Sequence, residues 1–122
     1  MGFRFPKQNK LCGQMRIAQL YKEGKRFTAW PLRVTYRKLT NEDGVSNLPT
    51  QILVWAPKSL FKHAVQRNHL RRLMREAYRL NQDLLGEGHY QIAFNYIDKE
   101  EQSFATINKA ICKALLKVKG ER

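Results

Sequence analysis

Residues 64–84 constrain this chain more than any other stretch, because two opposed surfaces have to share one helix. Leu70, Leu73, Met74, Ala77 and Leu84 follow a 3.6-residue period, interrupted by the polar Asn81, and that period predicts an amphipathic helix packed along one side. Between 58 and 79 the cations are Lys58, Lys62, Arg67, Arg71, Arg72, Arg75 and Arg79, against the single acid Glu76. Winding residues 66–79 at ~100° per residue gathers Arg67, Asn68, Arg71, Arg72, Arg75 and Arg79 into an arc of roughly 140° opposite the apolar stripe. One side of the helix must enter a core while the other holds guanidinium groups in water.

The core has to come from the rest of 122 residues, of which 43% are hydrophobic. That is enough apolar surface to argue against intrinsic disorder, and the length suits one domain rather than two. The patterning predicts a basic N-terminal arm over 1–9, a single domain over 10–118 and a short tail over 119–122. Leu11, Met15 and Ala18, with a neighbouring stripe of Ile17, Leu20 and Tyr21, predict a first helix that Gly24 would stop in a left-handed cap. From Pro31 the period becomes two, with Leu32, Val34 and Tyr36 inward and Arg33, Thr35 and Arg37 on an exposed basic face. Asn41 to Gly44 reads as a turn, residues 45–48 as a short extra strand, and residues 51–56 (QILVWA) as a strand joined to the previous one in a meander.

Pro57 ends that strand, and Gly86 with Gly88 closes the long helix. Residues 90–97 (YQIAFNYI) form a last strand, followed by a capping-box variant at Asp98 and Glu101. A final helix then turns Phe104, Ile107, Ile111, Leu115 and Val118 inward and Lys109, Lys113 and Lys117 outward. Trp30 and Trp55 read as packing residues. The resulting order, αββαβα with a possible extra strand, predicts an α+β sandwich: a small mixed sheet packed by helices.

Across the chain 23 Lys and Arg face 10 Asp and Glu, a formal charge of +13. A compact protein with such self-repulsion is expected to work beside a polyanion. A membrane is not the expected partner, since no apolar run approaches the ~20 residues of a spanning helix. Residues 1–10 lack the apolar centre of a secretory signal, so the cytoplasm is the expected compartment. Cys12 and Cys112 sit near opposite ends, and His63, His69 and His89 are scattered, so no metal site is expected. No nucleophile and base order and no phosphate-cradling glycine loop stands out, so no catalytic residue is assigned.

Arginine outweighs lysine on the cationic arc, and its planar fork can hold phosphate bidentately or stack on a base. Asn68 adds a side chain that both donates and accepts, useful beside a phosphate or a 2′-hydroxyl. A solvated charged face is the bland alternative, but the near-absence of acidic partners four residues away and the charge of the whole chain argue against it.

The run Arg67, Asn68, His69, Leu70, Arg71, Arg72, Leu73, Met74, Arg75, Glu76, flanked by Ala64 and Val65 and by Ala77 and Tyr78, resembles the signature helix of the bacterial ribonuclease P protein subunit. It departs from the usual Arg-Asn-Arg triplet at His69. The resemblance covers about residues 10–118, including a first helix that ends Leu20, Tyr21, Lys22, Glu23, Gly24. It implies a left-handed βαβ crossover carrying the signature helix, against the usual right-handed preference.

The resemblance also implies that the RNA subunit, with Mg²⁺ held mainly by RNA, cuts the 5′ leader from precursor tRNA, and that the protein alone is inactive. The implied partners are the catalytic RNA and precursor tRNA, with no obligate protein partner. Lys58, Lys62, Arg67, Asn68, Arg71, Arg72, Arg75 and Arg79 would then face RNA, while Ile17, Tyr21, Arg33 and Thr35 would line a leader cleft. A ribosomal or other structural RNA-binding protein would suit the same fold and arginine face, and only the signature helix argues against it. A free-standing nuclease would instead cleave precursor tRNA without any RNA subunit. DNA binding is weaker still, because no helix-turn-helix spacing precedes the arginine helix.

Overall fold

The computed structural model describes residues 14–38, 50–86 and 89–120. The expected arm over 1–9, the turn and extra strand within 41–48, Leu11, Cys12, Gly88 and the last two residues lie outside these. Helix α1 is Gln14–Glu23, followed by β1 Lys25–Ala29, β2 Leu32–Lys38 and β3 Gln51–Trp55. Helix α2 is Ala64–Asn81 and runs on into a 3₁₀ turn at Gln82–Leu85; β4 Tyr90–Tyr96 and α3 Phe104–Gly120 complete the order. The α+β class is as expected.

The sheet order is β1-β2-β4-β3, antiparallel except for the parallel β3/β4 pair. The expected meander is therefore corrected: β4 lies between β2 and β3, and α2 carries the chain across from β3. The physical reason is that six of the seven β4 residues are buried, and a strand covered on both faces belongs in the middle of a sheet. A second correction is β1 itself, which the sequence analysis did not include. Its KRFTA run pairs with β2 from Lys25↔Tyr36 to Ala29↔Leu32.

One face of the sheet carries the main core. Leu32, Val34, Ile52, Val54, Ile92 and Phe94 meet Leu70, Met74, Ala77 and Tyr78 of α2 and Ile107, Ile111, Leu115 and Val118 of α3. Asn81, the polar break in the α2 stripe, donates from Nδ2 to Asn108 Oδ1 on α3 at 2.7 Å. A half-buried amide is tolerated there because it is paired. Burial pushes the Tyr78 phenol up to about 12. The start of α3 is also corrected: Ser103 caps it, its Oγ accepting from Thr106 N–H at 3.3 Å. Asp98 instead accepts from Gln102 Nε2 at 2.7 Å.

Helix α1 lies on the opposite face. Its packed stripe is Ile17, Leu20 and Tyr21, against Leu53 and Ala93, whereas Met15 is 88% exposed and Ala18 is also in solvent. Gly24 is not a left-handed cap, since Gly86 is the only glycine with positive φ among the described residues. Gly24 N–H closes an ordinary helical bond to Leu20 O at 2.7 Å. A Cβ there would sit 2.5 Å from Leu20 O and 2.9 Å from Tyr36 O. Close approach of the backbones, not chain reversal, is what requires glycine.

Candidate nucleic-acid interface

Pro57 begins an interface by ending β3. Its carbonyl accepts from Leu60 and Phe61 N–H, both at 3.1 Å, and the turn inserts the Phe61 ring into the core, 5.6 Å from the Tyr96 ring. Arg67, from the first turns of α2, reaches back and donates from Nη1 to Phe61 O at 2.8 Å and Lys62 O at 3.0 Å. This clip fixes the turn that carries Lys58 and Lys62, both exposed. Arg67 therefore serves the fold as well as the charge of the surface.

Along α2, Asn68 and Arg72 are exposed, while Arg71, Arg75 and Arg79 are half-buried. Arg71 donates weakly from Nε to Arg67 O at 3.4 Å, and its guanidinium carbon lies 5.8 Å from the centre of the Trp55 ring. That distance is a cation–π contact. Burial, and then the Arg71 charge four residues before it, push the Arg75 guanidinium below its ordinary value. Arg79 is bound to Glu76, Nη2 to Oε1 at 2.5 Å, and this bond holds the Glu76 carboxyl below the usual carboxylate range. Among the described residues no carboxylate pairs with Arg67, Arg71, Arg72 or Arg75.

The four cleft residues share the α1 side of the sheet. Tyr21 is half-buried, and its hydroxyl donates to Asn95 Oδ1 at 3.1 Å. Arg33 stands beside Asn95 in the β2/β4 register and is exposed. The expected exposed basic face is corrected beyond that point. Thr35 is 1% exposed, opposite Ala93, and Arg37 is mostly covered and paired with Glu23 at 2.6 Å. Helix α1 lies over this side and removes both from solvent. Thr35 Oγ1 and Gln91 Oε1 are buried there without a hydrogen-bond partner among the described residues.

Trp30 and Trp55 are corrected as packing residues: they are 56% and 50% exposed. Trp55 ends the edge strand β3, two residues after Leu53, which packs against α1, and its ring takes the Arg71 guanidinium of α2. Its signal in the sequence was its parity, since Gln51, Leu53 and Trp55 alternate away from the core pair Ile52 and Val54. Asn95 carried the same signal in β4. Among the described residues no group of three His, Cys, Asp or Glu could hold a metal ion, and no helix is long and apolar enough to cross a membrane.

A crossover helix with an open arginine row, a mixed four-stranded sheet and a short helix on the far face define the class: a small, strongly basic α+β sandwich. Solved structures share that fold. The RNase P protein from Thermotoga maritima matches with a TM-score of 0.72 at 22% identity, over 88% of this chain and 96% of that one. The Staphylococcus aureus RNase P protein matches with 0.72 at 15% identity, over 90% and 94%. The family model for ribonuclease P matches residues 5–119. The ribonuclease P protein component of Porphyromonas gingivalis is 37% identical over 97% of this chain and 88% of its own length. That of Chlorobium phaeobacteroides is 33% identical over 89% and 84%. The chain belongs to the ribonuclease P protein component family.

Proposed function

We propose that this protein is the RNA-holding subunit of a ribonuclease P whose RNA subunit cleaves the 5′ leader from precursor tRNA in the cytoplasm. The observation that carries the reading is the α2 arginine row, with Arg71, Arg72 and Arg75 lacking carboxylate partners among the described residues. Burial first, and then the Arg71 charge, lower the Arg75 value, and a phosphate backbone relieves the repulsive part while releasing its own counterions. Asn68 and the exposed Lys58 and Lys62 extend the same surface along the catalytic RNA. In the cleft, Tyr21 offers a ring edge fixed by Asn95, Ile17 and Leu53 supply apolar walls, and Arg33 supplies charge for the leader.

The metal required for cleavage belongs, in this reading, to RNA phosphates; among the described residues no group of three His, Cys, Asp or Glu could hold it. The protein's part is positioning and charge: it brings leader and catalytic RNA together and lowers the concentration of divalent ion that the assembly needs. The test adds purified protein to a ribonuclease P RNA and follows precursor tRNA processing as Mg²⁺ is reduced. The expected result is cleavage at Mg²⁺ levels where the RNA alone is inactive, and none by the protein alone. Cleavage without RNA would assign the chemistry to the protein and refute the reading, and unchanged Mg²⁺ dependence would favour a structural RNA-binding role.

A further inference from the structure

The opposite edge of the sheet carries a second surface. A groove of about 670 Å³ runs between β1 and α3, with Phe27, Ala29 and Ala110 as its apolar floor and Lys109, Lys113 and Lys117 along its helical wall; no acid lines it. Trp30, the residue after β1, also lines it and is 56% exposed. Lys117 Nζ lies 4.6 Å from the centre of the Phe27 ring, which holds that ammonium over the floor. Among the described residues no carboxylate pairs with any of the three lysines.

We infer that this β1/α3 groove is a second RNA site, which takes a single-stranded segment with a base against Trp30 and its phosphates along Lys109, Lys113 and Lys117. The lysines stand four residues apart, a rise of ~6 Å per step along the helix, close to the phosphate spacing of an extended strand. A row of cations beside an open aromatic face is the arrangement that holds single strands without reading their sequence. Duplex RNA keeps its bases stacked inside and cannot offer one to Trp30. An acidic peptide could answer the lysines, but RNA alone carries a stacking base beside every phosphate. β1 and β3 are opposite edges of the sheet, so the groove opens at the edge away from Trp55 and the arginine row, and the inference goes beyond the function proposed above.

The chain has two tryptophans, so a full-length Trp55→Phe protein leaves Trp30 as the sole indole reporter. Titration with a short oligouridylate at low salt should quench its fluorescence saturably. Lys109→Ala with Lys113→Ala should weaken that binding at least about fivefold and flatten its salt slope by roughly 1.4, at about 0.7 per phosphate contact on a single strand. Arg72→Ala, on the other surface, should leave the Trp30 midpoint in place. Quenching that survives loss of both lysines, or equal quenching by duplex RNA, would overturn the inference. Oligoglutamate acting as well as the RNA would overturn it in favour of a protein partner. The processing assay is read separately: a silent Trp30 with intact processing removes only the groove, and quenching without stimulated processing removes only the proposed function.

Discussion

Arg67 and Arg72 look alike in sequence, both being arginines on the polar arc of one helix, and the structure requires them to fail differently. Arg67 donates to two backbone carbonyls, at 2.8 and 3.0 Å, in the turn before α2, whereas Arg72 is exposed and makes no such bond among the described residues. A charged hydrogen bond contributes about 1.5–3 kcal/mol; the bond to Phe61 O is part-buried and the one to Lys62 O is exposed and adds little, so Arg67→Ala should cost about 2 kcal/mol. At this chain length each kcal/mol moves the melting temperature by about 3–5 °C. Arg67→Ala should therefore melt roughly 6–10 °C early, while Arg72→Ala stays within ~0.5 kcal/mol of the parent. Both should flatten the salt dependence of RNA binding by roughly 0.7–1. Arg67→Lys separates the two roles, since an ammonium keeps the charge but not the planar fork: it should restore most of the salt slope and less of the stability. An Arg67→Ala protein that melts with the parent while losing RNA affinity would show that the clip contributes nothing.

Tyr21→Ala should weaken binding of precursor tRNA by about 1–3 kcal/mol and leave mature tRNA unaffected; equal losses for both would place the ring outside the leader path. Gly24→Ala should destabilise by about 1–3 kcal/mol, because its Cβ would meet two backbone carbonyls at 2.5 and 2.9 Å. This overcomes the ~0.4–1 kcal/mol that a less flexible unfolded chain would contribute, and a raised melting temperature would refute the steric account. Glu76→Gln removes the carboxylate bound to Arg79, so RNA affinity at neutral pH should rise and its salt slope steepen by up to about 1. Because the folded Glu76 value is lowered from 4.5, the pair's contribution is present above that pH and lost as pH falls through the lower folded value. The Gln variant should lack this acid-side step in a melting series.

Legibility followed how locally each feature is determined. The long helix was readable because its apolar and cationic positions are both set by the same 3.6 period within one segment. β1 was not, since its five residues include only two that turn toward the core, Phe27 and Ala29, too few to establish a period of two. Helix α1 offered two apolar stripes, and only the position of the sheet selects Ile17, Leu20 and Tyr21 over Met15 and Ala18. Strand order is likewise tertiary: Tyr90, Ile92, Phe94 and Tyr96 marked one core face, but Gln91 and Asn95 on the other parity gave no sign that β4 is covered on both faces or which neighbours it would have.

The same distinction narrows the candidate site. Spacing places Arg67, Arg71, Arg72, Arg75 and Arg79 on one arc as equivalents, but their partners come from elsewhere in the fold. Arg67 is committed to a turn set by Pro57 and Phe61, Arg71 is drawn to Trp55 at the end of an edge strand, and Arg79 is largely neutralised by Glu76. What the helix presents to a polyanion with the least competition is therefore the band of Asn68, Arg72 and Arg75, flanked by Trp55 and by the lysines of the preceding turn. Trp55 gives that band a direction, because it lies two residues after Leu53, which packs against α1, and its ring takes the Arg71 guanidinium. In the proposed function, a leader strand leaving the α1 side past Leu53 would reach cations without crossing the covered part of the sheet, where Thr35 and Arg37 are enclosed beneath α1.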